Sequence, residues 1–205
     1  EAARAIAGCV ATALRPGGAP LPQDAVARPV APEIAEAFLS ACAEFETMTA
    51  GGIGKALQYF REVNLQAPDF ALGLAWHSAC LFMLGYWGHA PTSEVYPSAK
   101  HLALRAVAVD DSLARAHLVL GWMHLLLDWD LDAAVREVRR AIELGPSEAD
   151  AHSFHSTLLC FLGRTSEATR EVEYMLKLNP VPLMSNQYAA WMFSQMGLHA
   201  RAEAQ

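Results

Sequence analysis

From Ala56 onward one pattern returns at a nearly fixed interval, and it restricts the fold more than any other feature of the chain. An alanine is followed at +4 by an apolar or small residue, at +3 from there by another, and at +5 from there by proline or aspartate. The copies are Ala56, Phe60, Val63, Pro68; Ala99, Ala103, Ala106, Asp111; Ala134, Val138, Ala141, Pro146; and Ala168, Val172, Met175, Pro180, with Ala202 opening a fifth. The opening alanines are 43, 35, 34 and 34 residues apart. A period of that length marks stacked supersecondary units, each unable to bury its apolar face alone.

A second pattern keeps step. Ten residues after each closing Pro or Asp stands a small residue (Ser78, Gly121, Ser156, Ala190), and three further on a larger one (Leu81, His124, Leu159, Phe193). Steps of +3 and +4 belong to helices, so each unit reads as two helices with opposed faces, the small residue allowing close approach at the crossing. Gly163 is expected to stop a first helix and Thr165 to cap the next. Ser147 with Asp150 is expected to cap the helix after Pro146, and Pro68, Pro146 and Pro180 to close second helices. No segment alternates at period two between turn signals, so essentially no strand is expected.

Composition narrows the function. The 205 residues are 53% hydrophobic and 18% charged, too apolar for a disordered chain, and the net charge of −7 argues against a free-standing nucleic-acid binder. Cys9, Cys42, Cys80 and Cys160 form no CxxC pair and read as buried thiols of a reduced, cytoplasmic protein. Phe70–Ser93 lacks Asp, Glu, Lys and Arg, which raises the question of a membrane span. Its His77, Ser78, Gly85, Gly88, His89 and Pro91, and the lack of basic flanks, favour a buried helix and a loop instead.

These residues resemble the tetratricopeptide repeat (TPR) family, whose 34-residue helix pair carries a small residue in the first helix, Ala in the second and a closing Pro. The resemblance covers about residues 33–205, about four and a half repeats, and implies an all-α, right-handed TPR superhelix that binds proteins without catalysis. Departures stand out: Gly51-Gly52-Ile53-Gly54 between the helices of the first unit, about nine extra residues near Tyr86–Pro97, and Asp111 for a closing Pro. The early aromatic of the family's first helix is replaced by Leu74, His117, His152 and Asn186. Leu127-Asp128-Trp129-Asp130, Arg139-Arg140-Ala141-Ile142-Glu143-Leu144 and Tyr96-Pro97-Ser98-Ala99-Lys100 look like a bacterial array found C-terminal to winged-helix transcriptional activators, class III nucleotide cyclases and serine/threonine kinases. That resemblance implies the regulatory part of a signalling protein, a transcriptional regulator first and a cyclase or kinase as the alternative.

Residues 1–15 read as a helix with Ile6, Val10 and Leu14 on one stripe. The Pro/Gly-rich stretch of residues 16–32 reads as a linker; from Arg15 to Pro32 it spans roughly 60 Å if extended. The chain has no initiating Met and stops at Gln205 within a helical pattern, so it reads as a piece of something longer.

For chemistry, Thr49–Ala56 imitates a phosphate loop, but it lacks Gly at Thr49, Ser or Thr at Ala56, and a preceding strand. His117, His124, His152 and His155 offer four imidazoles for a metal or small ligand; all four stand where the repeat packs its helices together. No HExxH or GxSxG is present, and no cofactor is expected. Glu167, Glu171 and Glu173 read as a solvated face. The remaining surface is the groove lined by first helices. Its spacing picks out Leu72, Ala75, Ala79, Phe82; Arg115, Leu118, Trp122, Leu125; Asp150, Ser153, Thr157, Cys160; and Met184, Gln187, Trp191, Ser194. Arg115 is the lone cation, against the Lys, Arg and Asn that the family's chaperone-binding members use, so a chaperone-tail clamp is not expected. An apolar trough anchored by Trp122 and Trp191 suits an apolar helix or extended segment, residues 1–15 included. A homodimer is a further expectation, because Trp191, Phe193 and Met196 would be left partly bare at the end of the stack.

Overall fold

A computed structural model describes residues 30–178 and 183–204, with the backbone alone at 183 and 184. Among the described residues every regular element is a helix. They form consecutive pairs: α1 Pro32–Glu46 with α2 Ala50–Gln66, α3 Ala71–Tyr86 with α4 Thr92–Val109, α5 Ala114–Met123 with α6 Leu131–Leu144, α7 Ala149–Phe161 with α8 Thr165–Leu178, and α9 Leu183–Gln195 with the short α10 His199–Glu203. These are units 1 to 5 below, each with an A and a B helix. The expected helix over 1–15, the linker as far as residue 29, and Pro180 lie outside the described residues.

The alanines of the repeat explain the stacking. Ala56, Ala99, Ala134 and Ala168 are all fully buried, as are Ala103, Ala106 and Ala141. A methyl there lets the B helix close on its neighbours, while Phe60, Val138 and Val172 fill the space one turn away. The crossing residues of the A helices behave alike. Ser78 and Ser156 are fully buried, and a Cβ on Gly121 would stand 3.0 Å from the Phe154 ring. The charge-free stretch is resolved by the same packing, since α3 is buried on almost every side. No helix of the described residues is long and apolar enough to cross a membrane.

Turns hold a second regularity. The residue between A and B helices is left-handed in every unit: Met48 (φ 52°), Gly88 (71°), Trp129 (56°), Gly163 (71°) and Gly197 (73°). Glycine suits that conformation; Met48 and Trp129 occupy it at a cost of about 1 kcal/mol each. Trp129 follows a π-helical turn, His124–Asp128, that closes α5.

Local expectations need correction at four places. Gly51–Gly54 lie inside α2, not between helices, with no positive φ. Gly52 is needed there because a Cβ would sit 2.5 Å from the Glu44 carbonyl oxygen, where α1 ends against α2. Thr49 is the cap, its hydroxyl accepting the Gly52 N–H at 3.1 Å. Thr165 is the first helical residue of α8, the Arg164 carbonyl accepting the first N–H groups, and α7 starts from Glu148 without a side-chain cap from Ser147. At the C-terminal end Phe193 is fully buried. The turn into α10 lays the Arg201 guanidinium 4.6 Å from its ring centre, and Arg201 is tied to Glu173 at 2.5 Å. Of the three residues expected to be bare, Trp191 is half exposed. The extra residues of unit 2 form the turn after Tyr86 and the early start of α4, which carries Pro97 inside the helix and sets the buried Tyr96 against Gly85.

Candidate functional site

The A helices of all five units share one inner face. Residues from α1, α3, α5, α7 and α9 line a single depression of about 250 Å³. Phe82, Trp122 and Tyr86 form its floor: Phe82 stacks on Trp122 with centroids 5.3 Å apart and Tyr86 leans on both, while the fully buried Phe154 backs Trp122 at 3.7 Å from beneath. Met48, Met83 and Met175 supply thioethers around that floor. Flexible sulfur side chains beside rigid rings suit an apolar partner whose shape the surface must follow.

Polar groups sit at one side. Arg115 lies 4.1 Å from the Trp76 ring centre and 3.7 Å from Glu148, so its charge is already partnered. Asp150, Ser153 and Ser185 line the facing wall. Tyr188 is anchored there, its hydroxyl bonded to Ser156 (2.9 Å), Thr157 (2.7 Å) and the Ser153 carbonyl; burial foremost pushes its pKa up to about 12, against hydrogen bonds that act to lower it.

Of the residues picked by spacing, Ala79, Phe82, Arg115, Leu118, Trp122, Asp150 and Ser153 line this depression. The others do not. Ala75 is fully buried between units 2 and 3, beside Leu74, Ala106 and Ala116. Leu72 packs against the aromatic cluster of unit 1, and Leu125, in the π turn, against the core of unit 3. Thr157 is buried under Tyr188, Cys160 is half-buried in the terminal core, and Gln187 and Ser194 are exposed away from the lining. Trp191 is 48% exposed and leans on Tyr188 without lining the depression. The Met184 side chain lies outside the described residues.

Spacing also overlooked residues. Met83 and Tyr86 continue the Ala79–Phe82 stripe by one turn, so the same rule carried further finds them. Tyr188 follows Met184 by four, a one-residue drift natural to a 3.6-residue period. Phe45 and Met48 were missed because the groove reading began at α3, although α1 is an A helix too.

Three of the four histidines face a carboxylate on another helix, and His124 pairs within its own turn. His117 Nδ1–H donates to Glu137 Oε2 at 2.7 Å and Nε2–H to the Asp111 carbonyl at 3.1 Å. His152 repeats this one unit later, with Glu171 Oε2 at 2.6 Å and the Pro146 carbonyl at 3.0 Å. Both partners of each ring accept, so the doubly protonated imidazolium makes both bonds. Burial pulls each pKa down, but the carboxylate and carbonyl bonds outweigh it and both end above the ordinary histidine value. Glu171, also 3.1 Å from His155 Nδ1, is held down to about 2: burial acts to raise it, and the bond from His152 with the nearby His155 overcomes that. His124 pairs with Asp128 at 2.8 Å. No three His, Cys, Asp or Glu are placed to hold a metal ion among the described residues.

No family model matches the sequence, and no curated protein matches it. Solved structures do. The TPR protein TTC0263 of Thermus thermophilus is 18% identical over 83% of this chain and 87% of its own, with a TM-score of 0.68. A MamA protein is 18% identical over 83% and 86%, with a TM-score of 0.53, and MamA from Desulfovibrio magneticus RS-1 is 15% identical over 82% and 90%, at 0.52. These likenesses establish the fold, a TPR-type α-solenoid.

Proposed function

We propose that this chain is a non-catalytic TPR interaction module of a bacterial signalling or transcriptional regulatory protein, and that its inner groove binds an apolar helix or extended segment. The observation that carries the reading is the ring lining of Phe82, Tyr86 and Trp122, ringed by methionines and bordered by Asp150, with its one arginine already paired. A surface of that chemistry gains most by covering apolar area, with rings as anchors. Residues 1–15, carrying Ile6, Val10 and Leu14 on one stripe, are the candidate occupant within the chain; a partner segment of the same pattern is the candidate from outside. Cys42, Cys80 and Cys160 are free thiols, the first two pushed up to about 12 by burial above all, which accords with a cytoplasmic setting.

The reading is tested with an amphipathic peptide carrying leucines at helical i, i+3 and i+7 positions, titrated by fluorescence into the full chain. Tyr86 is 52% exposed, and Met83 is partly buried at the edge of the cores of units 1 and 2, so circular dichroism of the variant checks that the fold is kept. Met83→Asp/Tyr86→Asp should weaken binding at least about ten-fold, by lost apolar area and new charge. Equal binding by the variant, or none by the parent and by a variant with Ile6, Val10 and Leu14 changed to Asp, would refute it.

A further inference from the structure

The repeat register exposes a second site on the opposite side of the array. Nine residues after the closing Pro or Asp of each unit stand His77 in α3, Leu120 in α5, His155 in α7 and Ala189 in α9. In unit 4 this histidine faces an anion, His155 Nδ1 lying 3.1 Å from Glu171 Oε1. Glu171 is the third residue after Ala168; the third residue after Ala99, at the same place in unit 2, is Leu102. The histidine recurs in unit 2 and its carboxylate does not.

What stands before His77 instead is a cleft of about 660 Å³, walled by Arg61 of α2 and by Glu94, Ser98 and His101 of α4, with Leu102 on its lining. His77 itself is 8% exposed. Asn64 Nδ2 and His77 Nδ1 are hydrogen-bonded at 2.8 Å; with the amide N–H donating, the ring proton sits on Nε2, which has no partner among the described residues. Burial, then the Arg61 charge, press its pKa down to about 4, so at neutral pH the ring is an uncharged N–H donor. Arg61 makes no ion pair among the described residues. A ring nitrogen without a hydrogen-bond partner and a guanidinium without an ion pair thus meet in one recess of a size that holds small ligands.

We infer that this cleft binds a carboxylate-bearing ligand, whose oxyanion takes against His77 and Arg61 the place that Glu171 takes against His155. The guanidinium supplies the charge-assisted bonds and His77 Nε2–H a directional one. Ser98 and His101 offer further hydrogen-bonding groups. The Glu94 carboxylate shares the recess, so a ligand with an ammonium or hydroxyl at its far end suits the site better than a dianion does.

The test follows the histidine ring protons of the full chain by NMR at pH 7 through titrations with each probe. The probes are acetate, 4-aminobutyrate and a blocked tri-glutamate peptide, each against chloride at equal ionic strength. At pH 7, where every probe is ionised and the ring is neutral, a bound carboxylate accepts from His77, so saturating probe should shift the ring protons of His77 and His101, while those of His117 and His152 stay where they are. Arg61→Gln, a change on an exposed residue, should weaken the effect at least about ten-fold. A response to the peptide without one to the free acids makes the source an acidic side chain of a partner; a response to acetate, stronger with 4-aminobutyrate, makes it a small molecule. His77 and His101 unmoved by all three probes, or moved equally in Arg61→Gln, would overturn the site.

Discussion

Unit 2 and units 3 and 4 hold the same register with opposite chemistry. Six residues after the closing Pro or Asp stands the residue that links the A helix to its B helix. In unit 2 this is Leu74, fully buried with Leu102 packed beside it. In units 3 and 4 it is His117 with Glu137 and His152 with Glu171. The preceding carbonyl is satisfied differently as well. His117 and His152 donate to the carbonyls of Asp111 and Pro146, whereas in unit 2 Arg105 reaches back to the Pro68 carbonyl at 2.8 Å. One backbone geometry accepts an apolar contact or a buried ion pair, because the helix spacing is set by the small residues around it and not by this contact.

The comparison can be broken most severely at Glu171, which faces the buried His152 and the partly buried His155. Glu171→Ala leaves His152 and His155 without their anion and should cost about 3 kcal/mol, read as a lower urea midpoint. A cycle at His117 and Glu137 sharpens it. Each single change to leucine strands a buried polar partner and should cost about 2 kcal/mol, while the double change rebuilds the Leu74–Leu102 arrangement and should restore most of that loss.

Acidity separates the two regions by sign. His117 and His152 have folded pKa values above the unfolded histidine value, so their stabilisation is complete below about pH 6.5 and is lost as pH rises through the folded values. The groups facing His117 are Glu137 and Asp111, whose carboxylate is in turn paired with Arg140 at 3.2 Å; Glu171 and the Tyr174 ring face His152. His77 runs the other way. Its folded value of about 4 makes unit 2 lose stability as pH falls from about 6.5 towards 4. Amide exchange at pH 6 and pH 9 should therefore show protection falling in α5–α8 on the alkaline side with α3 and α4 little changed; uniform loss across the array would contradict this. The smallest effect is Arg105→Ala, which should cost about 0.5–1 kcal/mol, since other donors and water can reach the exposed Pro68 carbonyl.

Much of this was legible in advance. Ala56, Ala99, Ala134 and Ala168 announced the pairs, and Ser78, Gly121 and Ser156 the crossings. Seven of the spacing-derived groove residues line the depression. Ala75 was misplaced because a three-four stripe on a helix buried nearly all round cannot tell the inner face from the contact with the next unit. Trp191 stands one turn beyond Tyr188, the last residue of α9 in the lining, and stays half exposed. The left-handed Met48 and Trp129 carry no glycine to announce them.

By itself the sequence determined the all-helical array, its period and its small-residue crossings, because these depend on local helix spacing and side-chain volume, which repeat with the chain. Only the tertiary structure decided which polar groups meet. That His117 and His152 find carboxylates 20 and 19 residues away, while His77 finds the Asn64 amide and a cleft beside Arg61, depends on how successive helices turn against one another. A charge is satisfied or left open by distances of a few ångströms, which the repeat permits and does not specify.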